Sequence, residues 1–439
     1  MLETMNTIVG GQSKATSHNL ETRAYSRATL RLLPFLFLCY VAAYLDRVNV
    51  GFAKLQMLSD LQFSETVYGL GAGIFFIGYF FFEVPSNILM HRVGARVWIA
   101  RIMITWAVLS AATLLVKTPT QFYIVRFLLG VAEAGFFPGI VLYLTYWFPA
   151  ARRSRMNALF MIGIPIAGVL GGPLSGWILS AFTGTNGWAG WQWLFLIEAV
   201  PSLVLGVITL FYLPNGIRAA NWLSDDEKAV LERNIEQDQA GKGHASIGSV
   251  FANGRVWLMA VIYFCCMMGL YGISFYLPTL IKASGVKSAL DVGLLTAIPY
   301  ACAVFSMLFV AKSADRTGER RWHFAIASLA SAIGLYFSTV FAHNVPLAML
   351  ALSVGAAGML ATMPVFWTWP SAILAGGSAA AAIGMINSIG NLAGFVSPSI
   401  IGWMKDTTQS TNAGMYCVSA AMVLGAVLAL LQPKKLVNG

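Results

Sequence analysis

The stretch AAYLDRVNVGF, residues 42–52, sets two charges, Asp46 and Arg47, at the far end of a run that is uncharged from Leu32 to Leu45. An Asp or Arg at the centre of a membrane-spanning helix costs about 2.5–3.5 kcal/mol on insertion scales, so each one asks for a reason. The run is the first of twelve apolar blocks, near 30–52, 66–90, 97–116, 120–147, 156–181, 191–213, 255–280, 290–312, 323–342, 346–369, 378–403 and 412–431. A hydrocarbon core about 30 Å thick takes roughly 20 helical residues. The blocks are too long and too uniformly apolar for the alternating strands of ~10 residues that build a barrel. The expected fold is an all-α membrane protein with twelve transmembrane helices.

The chain is 58% hydrophobic and 10% charged, with a net charge of +10. Of its 28 Lys and Arg, 21 lie on the side of the N-terminus and five on the opposite side, leaving Arg47 and Arg126 inside the spans. By the positive-inside rule both termini face the cytoplasm, so the basic balance reports orientation and excludes nucleic acid as a partner. Residues 1–29 form a polar cytoplasmic tail without the pattern of a cleaved signal peptide, and the first span is the expected insertion signal. The five cysteines fall within spans without ligand spacing and read as small packing residues. Metal-ligand spacing, a phosphate loop and a nucleophile set are all missing, so neither an enzyme nor a cofactor is expected.

The longest polar interruption, 214–254, divides the chain into six-helix bundles at 30–213 and 255–431, with a cytoplasmic tail at 432–439. Within it, Ser224 followed by Glu227 is a capping-box pattern opening a short helix that Gly241-Lys242-Gly243 ends. NILMHRVGAR (87–96) after span two and AKSADRTGER (311–320) after span eight place the same basic, Gly-centred turn in each half. Such duplication implies two pseudo-symmetric bundles with a substrate site between them at mid-membrane, and access that alternates as they rock. The turns resemble the loop signature GxxxDRxGRR of the major facilitator superfamily. Asp315, Arg316, Gly318 and Arg320 match it in the second copy, where Ala311 and Glu319 depart, and Arg92, Gly94 and Arg96 in the first, where Asn87 and His91 depart. The resemblance implies that these loops brace the cytoplasmic gate by charge pairing, a role safer for Asp315 and Arg316 than for Arg92.

The ionisable residues inside the spans are Asp46, Arg47, Arg126 and Glu133, with Glu83 and Glu198 as lesser cases. At about 100° per residue, Tyr40, Tyr44 and Arg47 share a face of span one while Asp46 points away, so the adjacent charges do not neutralise each other. Arg126, Gly130 and Glu133 share a face of span four. The expected wiring pairs Asp46 with Arg126 and turns Arg47 toward the cavity with Tyr44. Arg47 is then an anchor for an anionic substrate, because a guanidinium grips a carboxylate through two parallel hydrogen bonds, and Asp46 and Glu133 are protonatable switches. A static ion-pair network that fixes helix packing is the other reading, and Arg126 stands between gate and structure. Glu83 is near enough to the basic turn for a gate pair, and Glu198 is central enough for a proton role.

The second half supplies no intramembrane charge, so its contribution is polar or aromatic: Tyr271, Phe275 and Pro278 on span seven, Phe366, Trp367 and Trp369 on span ten, and Asn387, Asn391 and Phe395 on span eleven. Aromatic stripes commonly pack against neighbouring helices, whereas buried amides demand hydrogen-bond partners. Span five holds GVLGGPLSGW (168–177), which resembles a superfamily motif known best from drug antiporters and also reads as close helix packing.

YLDRVNVGFA (44–53), VPSNI (84–88), RFLLGVAEAGFFPG (126–139), YLTYWFP (143–149) and INSIGNLAGFVSP (386–398) together resemble the anion:cation symporter family over essentially the whole chain. That resemblance implies proton- or sometimes sodium-coupled uptake of organic anions such as sugar acids, galactonate, tartrate, phthalate and hydroxyphenylacetate. It implies that Arg47 holds the substrate carboxylate, that Asp46 and Glu133 are coupling acids, that Tyr44 and Tyr79 line the cavity, and that Asn391 is its polar contact on span eleven. Some members use a Gln on span five. MIGIPIAG (161–168) has none, which leans toward a less hydroxylated or aromatic carboxylate. The expected protein is a proton-coupled importer of a small organic anion in the bacterial inner membrane, working as a monomer. A proton antiporter exporting amphipathic compounds and a transporter-like receptor signalling through 214–254 are the alternatives.

Overall fold

Spans form where apolar runs meet local stop signals. In the computed structural model, which describes residues 2–149, 152, 160–240, 251–373 and 377–437, eleven helices are long and apolar enough to cross a membrane. Span one lies within Leu2–Leu61, span two is Glu65–Val93 and span three Ala95–Ala112. Span four combines Pro119–Glu133 and Phe136–Thr145, span five contains Gly163–Ala181 and span six is Gly190–Tyr212. In the second half, span seven is Gly254–Ala283, eight Ala289–Thr317, nine Arg320–Val340 and ten Val345–Phe366 with Thr368–Ile373. Span eleven is two short helices, Gly377–Asn391 and Ala393–Thr408, which together make the twelfth crossing; span twelve is Asn412–Leu430. The start of the block expected at 156 lies outside the described residues.

Caps set the ends. Ser64 accepts from the Val67 amide at 3.2 Å, and Thr118 from the Gln121 amide at 3.3 Å with Pro119 in the first helical turn. The two repeated basic turns are closed by Gly94, at φ 97°, and Gly318, at φ 65°, where a side chain would be strained.

Burial is inverted relative to a water-soluble protein. Large apolar side chains such as Phe211 and Phe309 point outward, while Asp46, Arg47, Arg126, Glu133 and Glu198 are buried. An apolar exterior facing hydrocarbon is the physical reason. Besides the contact of span one with span seven at Gly51, the halves meet along two closely crossing helix pairs. Span two crosses span eleven where Gly73 lies against the Phe395 carbonyl, and span five crosses span eight where Gly172 and Gly176 lie against the Gly293 and Ala289 carbonyls. The glycine run of span five is therefore a close crossing between halves. A Cβ at Gly172 would stand 2.7 Å from the Gly293 oxygen.

Span one continues toward the N-terminus as helix through most of the stretch expected to be a tail. There Arg27 donates to Glu227 at 2.9 Å and Arg23 lies 3.5 Å from the same carboxylate. Glu227 closes the expected capping box, its Oε2 accepting from the Ser224 amide at 3.0 Å while Ser224 Oγ accepts from the Glu227 amide at 3.3 Å. The helix so opened, Asp225–Ala240, docks on the base of span one; the Gly-Lys-Gly expected to end it lies outside the described residues. Burial raises the Glu227 carboxyl, but the Ser224 backbone and the guanidiniums of Arg27 and Arg23 outweigh it and hold it below the usual carboxylate range. A depressed carboxyl favours the docked state with its proton off. Docking is thus at full strength above the ordinary Glu value of about 4.3 and is lost as pH falls through the lower docked value. Hydrogen exchange over Asp225–Ala240 is expected to accelerate in that acid window, and Glu227→Gln is expected to remove the pH dependence. Exchange that ignores both would exclude the ion pairs as the tether.

Candidate functional site

Glu133 ends the first helix of span four, and Gly135, in the left-handed region at φ 84°, starts the second. The break leaves Glu133 facing span one, where Arg47 meets it: Arg47 Nε donates to Glu133 Oε1 at 3.0 Å and Nη2 donates to the same oxygen. The Arg47 side chain is 11% exposed and that of Glu133 1%. The guanidinium carbon lies 5.5 Å from both the Phe75 and Tyr79 ring centroids, within cation–π reach. Tyr44, one turn earlier, shares a hydrogen bond of 2.9 Å with Ser274 of span seven, so span one is tied to the opposite half beside the arginine. Tyr271 packs on Phe76, with ring centroids 4.3 Å apart, and donates its hydroxyl to Asn391 Oδ1 at 2.9 Å.

Asp46 does turn away from Arg47, but its partner differs from the expected one. It accepts from Trp106 Nε1 at 2.9 Å and Ser110 Oγ at 2.9 Å on span three, and from Ser202 Oγ on span six. Arg126 instead donates Nε to the Gly71 carbonyl at 3.3 Å and lies 5.2 Å from the Phe75 ring, and its terminal nitrogens make no hydrogen bond among the described residues. Span four packs on span two, with Gly130 against the Phe75 carbonyl, and this carries Arg126 out of reach of Asp46. Glu83 does not pair with the basic turn either. It accepts from Asn387 Nδ2 at 3.0 Å and Ser388 Oγ at 3.3 Å, a latch between span two and span eleven. Asn387 thereby serves this latch, while Asn391 stays with Tyr271. Trp367 stands edge-on to Tyr263, centroids 4.9 Å apart, as aromatic packing. Arg92, Asp315 and Arg316 are exposed, and Asp315 lies 4.0 Å from Arg320 within its own turn.

A second junction on the outer side was not anticipated. Lys54, buried, lies 2.6 Å from Glu65 Oε2, and Lys405 of span eleven reaches the other oxygen of the same carboxylate. Asp406 caps the start of span two, accepting from the Glu65 amide at 3.2 Å and the Thr66 amide at 2.7 Å. Lys54 also sits 4.0 Å from the centre of the Tyr276 ring of span seven. Its sequence signal is position seven residues after Arg47, on the same helical face. A carboxylate cap is worth about 1 kcal/mol, or roughly a fivefold change in population. Asp406→Ala is accordingly expected to speed amide exchange around Glu65 and Thr66 about fivefold, and unchanged exchange would show that the cap does not hold the outer seal.

Charge buried at the junction of two like halves, sealed by polar contacts on both sides, suits a chain that passes a solute between them. The comparisons agree. The Major Facilitator Superfamily pattern matches residues 36–398. The Pseudomonas putida protein named "Putative metabolite transport protein NicT" is 48% identical over 416 residues, covering 94% of this chain and 95% of that protein. An Agrobacterium vitis protein named "Putative tartrate transporter" is 50% identical over 415 residues, covering 94% and 95%. A solved bacterial homologue of the human lysosomal transporter Spinster, inward-facing and unoccupied, superposes with a TM-score of 0.73 at 17% identity, covering 91% of this chain and 95% of that one, and shows the shared fold. The chain therefore belongs to the Major Facilitator Superfamily, a multi-pass membrane protein whose work is transport rather than enzymatic chemistry.

Proposed function

We propose that this transporter imports a small organic anion, a carboxylate, by proton symport with alternating access, one chain being the working unit because both halves of the site come from it. The observation that carries the reading is the buried Arg47–Glu133 pair at the junction of the halves. Charge accounting supplies the coupling. With no substrate the pair is neutral. A carboxylate that took the guanidinium fork while Glu133 stayed ionised would leave one net negative charge in low dielectric; a proton alone on Glu133 would strand Arg47 as a buried cation. Either imbalance costs several kcal/mol. Proton and anion together restore neutrality, so the halves move most easily when the site is empty or doubly loaded.

Phe75, Phe76, Tyr79 and Tyr271 give the site aromatic walls. Such walls, with the missing Gln on span five, favour an aromatic or lightly hydroxylated carboxylate. The tartrate relative extends the class to small hydroxy acids. A thermal-shift screen against sugar acids, hydroxy acids and aromatic acids, followed by uptake into proteoliposomes with acid outside, tests the reading. Accumulation of a carboxylate above its external concentration is the expected result. Binding without accumulation favours a receptor, and export of amphipathic drugs without carboxylate uptake favours the antiporter.

A further inference from the structure

We propose that Glu198 of span six is a second proton-holding carboxyl of the transport cycle, loaded from the cleft between the halves through the Ser175 hydroxyl and acting beside Asp46. The inference rests on the symport reading above and assigns to it a residue outside the Arg47–Glu133 pair.

Glu198 is 2% exposed in the middle of a spanning helix, where a carboxyl needs a reason. Its Oε1 accepts from Ser175 Oγ at 2.6 Å, and the Asn49 amide of span one also faces its carboxyl. One turn along the same face, Ser202 donates to Asp46, which places the two carboxyls on one polar seam between spans one and six. The groups that face this seam among the described residues are Asp46 and Asn49 from span one, Trp106 and Ser110 from span three, Glu133 from span four, Ser175 from span five and Ser202 from span six. None is a cation. The two arginines inside the membrane are engaged elsewhere, Arg47 by Glu133 and Arg126 by the Gly71 carbonyl. Two buried acids without a counter-charge are a poor structural device and a good place to keep a proton.

Two features make the seam able to change its protonation. Asn49, buried and one turn from Asp46, sets its side-chain amide toward the Glu198 carboxyl. An amide can donate to an ionised carboxylate or accept from a protonated one, so it serves both states. Ser175 also borders the cleft between the halves, together with Leu45, Val48, Ser274, Thr296 and Tyr300. Ser175 therefore borders the cleft while its hydroxyl meets Glu198. In the loading step an O–H bond forms at Glu198 Oε1 as the one at Ser175 Oγ breaks, and Ser175 regains a proton from the cleft. One proton moves, and release is the reverse.

The test uses wild type, Glu198→Gln and Ser175→Ala in proteoliposomes, with tartrate as the probe. Acid-driven tartrate uptake is expected to fall about a hundredfold in Glu198→Gln, while tartrate counterflow stays within about twofold of wild type. Infrared difference spectra between acidic and alkaline buffer should show a carboxylic-acid C=O band that Glu198→Gln deletes. Wild-type uptake by Glu198→Gln, or a band that survives it, overturns the proposal. Should Glu198→Gln fail to fold, Ser175→Ala keeps the acid and is expected to slow acid-driven uptake with counterflow intact; unchanged acid-driven uptake would overturn the Ser175 route. If wild type shows no acid-driven uptake of tartrate or of the carboxylate that the thermal-shift screen ranks first, the symport reading falls, and the infrared band still decides whether Glu198 takes up a proton.

Discussion

Arg47→Ala is expected to abolish carboxylate binding. Arg47 supplies the fork that a carboxylate would take, and it does so from a site shielded from water by Phe75 and Tyr79. Truncating one partner of a buried, hydrogen-bonded charge pair costs about 2–5 kcal/mol, a loss of roughly 30- to several-thousand-fold in affinity. The same change also strands Glu133, and removing one member of a buried pair destabilises by about 3–5 kcal/mol. Loss of fold and loss of anchor are separated by the double variant Arg47→Ala, Glu133→Ala. Without either charge the site is neutral again, so thermal stability is expected to recover while binding stays lost. Arg47→Lys keeps the charge but not the planar fork, and is expected to bind about tenfold or more weakly. Titration calorimetry with the best carboxylate of the screen reads all three. An affinity unchanged in Arg47→Ala removes the anchor.

Glu133→Gln is expected to uncouple the proton from the anion while leaving exchange intact. Glutamine has the shape of the protonated acid, so the variant is fixed in the state that releases Arg47. For a monovalent anion moved with one proton, each pH unit of gradient with acid outside sustains about tenfold accumulation. In Glu133→Gln that accumulation should collapse to equality of concentrations. Anion affinity should also lose its pH dependence. In wild type, protonating Glu133 removes the competing carboxylate, so affinity rises as pH falls; in the variant it should hold the low-pH value throughout. Normal acid-driven accumulation in Glu133→Gln would reject the coupling role.

The two predictions rest on features that differ in how far the sequence reveals them. Twelve apolar blocks, the bias of Lys and Arg to one side, and the paired turns at Gly94 and Gly318 are local or additive properties, legible without any long-range contact. The rotation of Asp46 away from Arg47 is equally local, because helical geometry alone separates adjacent residues by about 100°. What lies opposite each face is another matter. Asp46 meets Trp106, Ser110 and Ser202 because spans three and six pack against span one there. Arg126 stays on span two because small residues let span four press close to it. Glu83 turns to Asn387 and Ser388, some three hundred residues on, because spans two and eleven cross at glycines. The outer junction of Lys54, Glu65, Lys405 and Asp406 has the same origin.

The sequence by itself determined the number of spans, their orientation, the duplication and the set of charges that the membrane makes costly. Only the tertiary structure decided which charge neutralises which, that Arg47 is held by Glu133, and that Asp46 and Glu198 share a seam without a cation. The physical reason is that insertion cost is a property of each residue in its helix, whereas the relief of that cost depends on which helix packs against it.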